Sequence, residues 1–186
     1  IEKQMMHSII DVEEVLWLGN EEKANGKLIA GYIQAGKSVH AGIVGATAGS
    51  TTIINLSKKV DIMKEHLEDI EERLKIDSEK TTELQFAVNK LKKLPSDKVN
   101  PEMLSKLIST YKFQANRMGE ILNEKEAFEV EIQAYMASVF IEATEKVYHG
   151  VQLTIGEYKD KTRREYGPTR MSYKERKIHF DPIVNT

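Results

Sequence analysis

The sequence predicts an α+β fold in which short β-solenoid coils are interrupted by a long antiparallel coiled-coil hairpin. Three observations carry this reading. Six glycines crowd residues 26–49, with small or apolar residues between them. A charged stretch follows that has no glycine until Gly119 and that reads in heptads. From residue 147 the chain returns to valine, threonine, tyrosine and glycine. The expected organisation is therefore coils over 1–56, a hairpin over 57–146 with its loop at about 95–100, and returning strands over 147–186 that cap the solenoid.

In the first segment, Gly26, Gly31, Gly36 and Gly42 recur at intervals of five or six, and Ile33 and Val39 lie six apart. Glycine lets a backbone turn a corner and lets one coil lie close on the next. Short strands with glycine turns at this spacing predict stacked coils. Gly45 and Gly49 extend the set, and Gly150 and Gly156 stand as turns in the returning strands. A phosphate-gripping loop also uses glycine, but "GATAGSTT" lacks the P-loop lysine, and the dinucleotide fingerprint is absent.

The middle segment steps by three and four through Val60, Met63, Leu67, Ile70, Leu74, Asp77, Thr81, Leu84, Val88 and Leu91. Eight of these ten are apolar, which marks a helix packed lengthwise on another helix. "LPSDKVNP" breaks the pattern: Pro95 stops the first helix, Asn100 is suited to cap the next, and Pro101 suits its first turn. A second seam runs through Leu104, Leu107, Tyr111, Gln114, Met118, Ile121, Lys125, Phe128, Ile132, Tyr135 and Val139. Two long helices with a short link predict an antiparallel hairpin whose partners sum to about 195. Thr81 then faces Gln114, a polar pair able to fix register, while "DSEKTT" is open to a second reading as a kink.

The last segment reads as strands. "VQLTI" and "RKIHF" alternate, and "EYGPTRMSY" holds a Gly-Pro turn.

Composition narrows the function. A chain of 186 residues with 40% hydrophobic and 30% charged residues is foldable rather than disordered. A net charge of −2 argues neither for a nucleic-acid binder nor for an acidic tail. The absence of cysteine excludes disulfides and thiolate chemistry and fits the cytoplasm. No apolar run reaches the roughly 20 residues of a membrane span. The start at Ile1, with no signal-like segment, predicts a piece of a longer protein.

Five histidines (His7, His40, His66, His149 and His179) stand at no metal-ligand spacing, so neither metal nor cofactor is expected. His40 carries the enzymatic alternative. "IQAGKSVHAGIVG" reads as two hexapeptide turns of an acyltransferase solenoid, where a histidine between coils acts as general base. The run "KDKTRREYGPTRMSYKERK" carries a nucleic-acid alternative through Arg163, Arg164 and Arg176, diluted by Asp160, Glu165 and Glu175.

Two motifs bracket the hairpin. One, Ile43–Thr52, is an Ile-Gly-like turn into small residues and Ala-Gly-Ser-Thr-Thr. The other, Val147–Gly156, has an apolar-Tyr-x-Gly-Val-x-Leu-x-Ile-Gly pattern. With the order coil, hairpin, strand, they make the chain similar to the C-terminal half of the flagellar assembly protein A family, over residues 12–181. The resemblance implies a right-handed β-helix interrupted by a coiled coil, in a cytoplasmic bacterial protein linked by name to flagellar assembly. It carries over no catalytic residues. The expected function is a non-enzymatic scaffold or regulatory protein that binds protein partners or further copies of itself.

Overall fold

The computed structural model describes residues 3–47, 50–95 and 99–184. The fold is mixed α+β: a curved, nearly closed ten-stranded sheet with a hairpin of two long helices inserted in the chain. The chain forms two compact units, one of Ile1–Met63 with Ile132–Thr186 and one of Lys64–Glu131.

The first unit holds the strands, β1 (Gln4–Val12), β2 (Val15–Trp17), β3 (Lys27–Ala35), β4 (Ser38–Val44), β5 (Thr52–Leu56), β6 (Phe140–Val147), β7 (Gln152–Ile155), β8 (Tyr158–Lys161), β9 (Thr169–Lys174) and β10 (Lys177–Pro182). They stack as two ladders. In one, β1, β3, β5 and β7 pair in parallel and β8 closes antiparallel on β7. In the other, β2, β4 and β6 pair in parallel, and β9 and β10 close antiparallel on β6. The start of β3 meets the end of β4 and joins the two.

The stacking corrects the expected period. Ile33 and Val39, six apart, do not stand in successive coils but on the two ladders of one coil. Ile33 pairs with Ile10 and Ile54, and Val39 with Leu16 and Ile141. One coil thus takes 23 residues from Ile10 to Ile33, and the next takes 21 from Ile33 to Ile54. The rows Ile33–Ile54–Leu153 and Val39–Ile141–Met171 point inward and are at most 1% exposed, which makes them the centre of the core. Alternation puts their neighbours on the outside.

The glycines of β3, β4 and the turn between them are needed for close approach between coils more than for turning. A Cβ on Gly36 would lie 1.8 Å from the Glu13 carbonyl oxygen of the preceding coil, and one on Gly31 would lie 2.2 Å from that of Ser8. Gly31 also has φ of +108°, a conformation that favours glycine. Gly26 presses on Leu18, Gly42 on Asn25 and Gly45 on Val151 in the same way. Gly150 and Gly156 lie in the turns before and after β7. Gly49 lies outside the described residues.

The helices are α1 (Lys58–Lys92) and α2 (Pro101–Ser138). Asn100 caps α2 as its side chain predicts, its Oδ1 accepting from the amides of Glu102 at 2.9 Å and Met103 at 3.3 Å. The loop expected at 95–100 falls between the helices, with residues 96–98 outside those described. α2 stops at Ser138, eight residues before the expected boundary at 146. The stretch from Phe140 to Val147 alternates instead, with Ile141, Ala143 and Val147 turned into the core and Glu142 and Thr144 toward the outside, so it pairs as a strand.

The helical roots belong to the β unit. Lys58 pairs with Asp11 and Glu13 at 3.0 Å each, and the Tyr135 hydroxyl donates to the Gly36 carbonyl. Val60 is fully buried, close to Met136 and Gly156.

In the helical unit, pairs of later α1 residues with earlier α2 residues show the antiparallel course. Glu71 meets Lys125 at 2.9 Å, Arg73 meets Glu124 at 2.9 Å, and Asp77 meets Arg117 at 2.8 Å. The His66 and Phe128 rings stand edge to face at 4.8 Å. Among the described residues, no helix is long and apolar enough to cross a membrane.

Candidate functional site

The residues with the richest chemistry lie on the outer face of the second ladder. Register places Trp17, His40, Glu142, Arg170 and Asp181 in one row across β2, β4, β6, β9 and β10. The row two residues away contains Ser38, Phe140, Ser172 and His179. The His40 ring sits between Trp17 at 4.9 Å and Phe140 at 5.2 Å. Its Nε2 lies 3.0 Å from Ser38 Oγ, and its Nδ1 lies 3.7 Å from Glu142 Oε1. The latter distance is too long for a hydrogen bond, which leaves Nδ1 a buried atom without one. Burial holds the His40 pKa below its ordinary value. The Glu142 carboxylate opposes the shift, and the Arg170 guanidinium adds to it.

Serine, histidine and glutamate in this order have the layout of a nucleophile, a base and an orienting acid. Exposure decides against simple use of it. Ser38 is 3% exposed, so its hydroxyl meets no substrate carbonyl unless the coil opens. The 850 Å³ hollow nearby is lined by Trp17, Gly19, Asn20, Glu21 and Glu22, with neither Ser38 nor His40 on its wall. Sequence reasoning found His40 but missed Glu142 and Phe140, which reach it only after the hairpin returns the chain. The spacing of Ser38 and His40 two residues apart on a strand was the available signal.

The outer face of the first ladder carries a second polar row. Asn55 Nδ2 donates to the Tyr32 hydroxyl at 2.9 Å, and that hydroxyl donates to Gln34 Oε1 at 3.0 Å. A groove of 570 Å³ beside them is lined by Tyr32, Asn55, Gln152, Thr154 and Lys159 among others. Periodicity did not mark these residues, because outward polar positions are the ordinary complement of an inward apolar row.

Several of the C-terminal basic residues already have partners within the chain. Lys146 pairs with Glu165 at 2.7 Å, Lys174 pairs with Asp181, and Arg164 and Arg170 stack on Tyr166 and Phe140. Arg163, Arg164 and Arg176 are exposed. Tyr158, in contact with Tyr173, has its pKa pushed up to about 12, mainly by a hydrogen bond to that neighbour. Among the described residues, no three His, Asp or Glu side chains are grouped to hold a metal ion.

In the helical unit the seam positions Leu67, Leu74, Thr81 and Val88 of α1 and Leu107, Gln114, Ile121 and Phe128 of α2 are buried or half-buried. The polar pair does not meet by hydrogen bond. Thr81 donates to the Asp77 carbonyl of its own helix at 2.7 Å, and Gln114 Nε2 is buried without a partner.

No curated protein and no solved structure matches the chain. The family described as the Flagellar Assembly Protein A (FapA) β-solenoid domain matches residues 1–178. With stacked coils, glycines pressed between them and a helical insertion in the third coil, the chain belongs to the FapA β-solenoid domain family.

Proposed function

We propose that the chain is a non-enzymatic cytoplasmic scaffold of flagellar assembly that works by binding proteins, further copies of itself included. The observation that carries this reading is apolar exposure on the helical unit. Phe86 is 71% exposed, Phe113 69%, Val130 68% and Met103 63%, on helices whose seam is already filled by other residues. Exposed apolar side chains, two of them aromatic, on a charged rod are the raw material of an interface. The flagellar link rests on family membership.

The test uses a flagellated bacterium carrying the chain. Phe86→Ser with Phe113→Ser should leave helix content unchanged and reduce the number of flagella per cell. Unchanged flagellation with both aromatics removed would sink the reading.

A catalytic reading is kept alive by one geometry, that of Ser38, His40 and Glu142. It requires that His40→Ala abolish function in a chain that folds and binds normally. The scaffold reading requires that this variant retain it.

A further inference from the structure

The outward side of α2 holds Lys106, Phe113 and Glu120 at seven-residue intervals, two helical turns apart, so they form one column. All three are exposed, and Lys106 and Glu120 have no ion-pair partner among the described residues. Beside Phe113 lies a hollow of 420 Å³ whose walls include Arg73, Asn116, Arg117, Glu120 and Glu124. Charge is also segregated along the helical unit. Residues 64–79 and 116–131 hold twelve acids and five bases, whereas residues 80–115 hold three acids and seven bases. Phe113 stands next to the boundary between these halves.

We propose that two copies of this chain pair antiparallel along α2, about a two-fold axis at Phe113. Lys106 of each copy then faces Glu120 of the other, and each Phe113 enters the hollow beside its counterpart. The proposal rests on the scaffold reading above and names a second copy as the partner.

A two-fold axis exchanges positions equally distant from it, so an axis at residue 113 brings 106 opposite 120 twice over. The column is thus complementary to itself in the antiparallel sense alone. The segregated charge demands the same orientation. Parallel pairing sets the acidic halves together and the basic halves together, whereas antiparallel pairing sets each acidic half on a basic one. The contact is modest. An axis at Phe113 overlaps residues 101–125 of each α2, a strip about 37 Å long and 10 Å wide that covers roughly 370 Å² per chain, the size of a weak, transient contact. Association is therefore concentration-dependent, and it weakens with salt because exposed charges are screened within about 8 Å at physiological ionic strength.

Sedimentation velocity on the 186-residue chain tests this. A monomer–dimer equilibrium is expected at about 50 mM salt, weaker at about 500 mM. Phe113→Ser should raise the dissociation constant at least about tenfold, and Lys106→Glu or Glu120→Lys alone should do likewise. The double variant Lys106→Glu/Glu120→Lys should restore the affinity to within about threefold of the parent. Circular dichroism checks that each variant keeps its helices. A chain monomeric at every concentration up to about 0.5 mM, or a dimer that the single charge reversals leave unchanged or that the double variant does not restore, overturns the pairing. If flagellation still depends on Phe113 in that case, the scaffold reading stands without it.

Discussion

Arg117 Nε lies 2.8 Å from Asp77 Oδ2 across the two helices of the hairpin, and the Asp77 side chain is only 3% exposed. The N–H is not aimed at that oxygen, which has no hydrogen bond, so the contact is an ion pair without directional support. Arg117 itself is 55% exposed. A carboxylate in a helical seam is costly unless a cation stays beside it.

Arg117→Met should therefore destabilise the helical unit by about 1–2 kcal/mol, a figure discounted for the solvent around the guanidinium. Asp77→Leu made together with Arg117→Met should recover the loss or exceed it, because it continues the apolar seam. Urea unfolding of the two variants, followed by ellipticity at 222 nm, measures the difference. A double variant less stable than Arg117→Met would show that the pair is a net stabiliser.

The glycines separate into two kinds with opposite responses. Gly36→Ala places a methyl against the Glu13 carbonyl and should cost the β unit about 1–3 kcal/mol. Gly119→Ala, on α2 with nothing within 4 Å of the added atom, should stabilise the helical unit by about 0.5–1 kcal/mol. Thermal unfolding followed at strand and helix wavelengths distinguishes them. A neutral Gly36→Ala would mean that the coils have room to separate.

His40 predicts a pH dependence. Its folded pKa lies below the ordinary histidine value of 6.5, chiefly through burial. The unfolded chain therefore binds the proton more readily than the folded one. The resulting stability is fully present above the unfolded pKa and is lost as pH falls toward the folded one. His40→Gln should flatten the decline in unfolding free energy, measured in urea, between pH 7.5 and 5, by at most about 1.4 kcal/mol per pH unit. Glu142→Gln removes the group that raises the pKa and should steepen the decline. An identical slope in all three chains would contradict the assignment.

Leu74→Asp introduces an unpaired charge into the half-buried seam and should destabilise the helical unit by several kcal/mol. Leu74 lies within Lys64–Glu131, so the β unit should remain folded. Loss of amide exchange protection at Ile54 and Ile141 in this variant would show that the two units unfold as one.

How much of this was legible follows from the range of each interaction. The hairpin was readable because a heptad is local: Leu67, Leu74, Ile121 and Phe128 each declare their face within seven residues. The Asn100 cap was readable for the same reason. The coil period was not, because Ile33 meets Ile10 and Ile54 across about twenty residues of variable corner, and glycine spacing records contact with the previous coil rather than coil length. The start of β6 was misplaced because "FIEATEKV" follows a helical seam without a proline or glycine to end it. The partner of His40 on β6 was hidden, since Glu142 reaches His40 only after the 101 residues between them are folded away.

The central claim is that the inserted helices, rather than a catalytic residue of the coils, carry the function. Its most direct test is the number of flagella per cell when residues 58–138 are replaced by a short flexible linker in the native gene. The account predicts a soluble chain that keeps its β-sheet ellipticity, in cells whose flagella are lost or misplaced. Normal flagellation with the helices gone would contradict it.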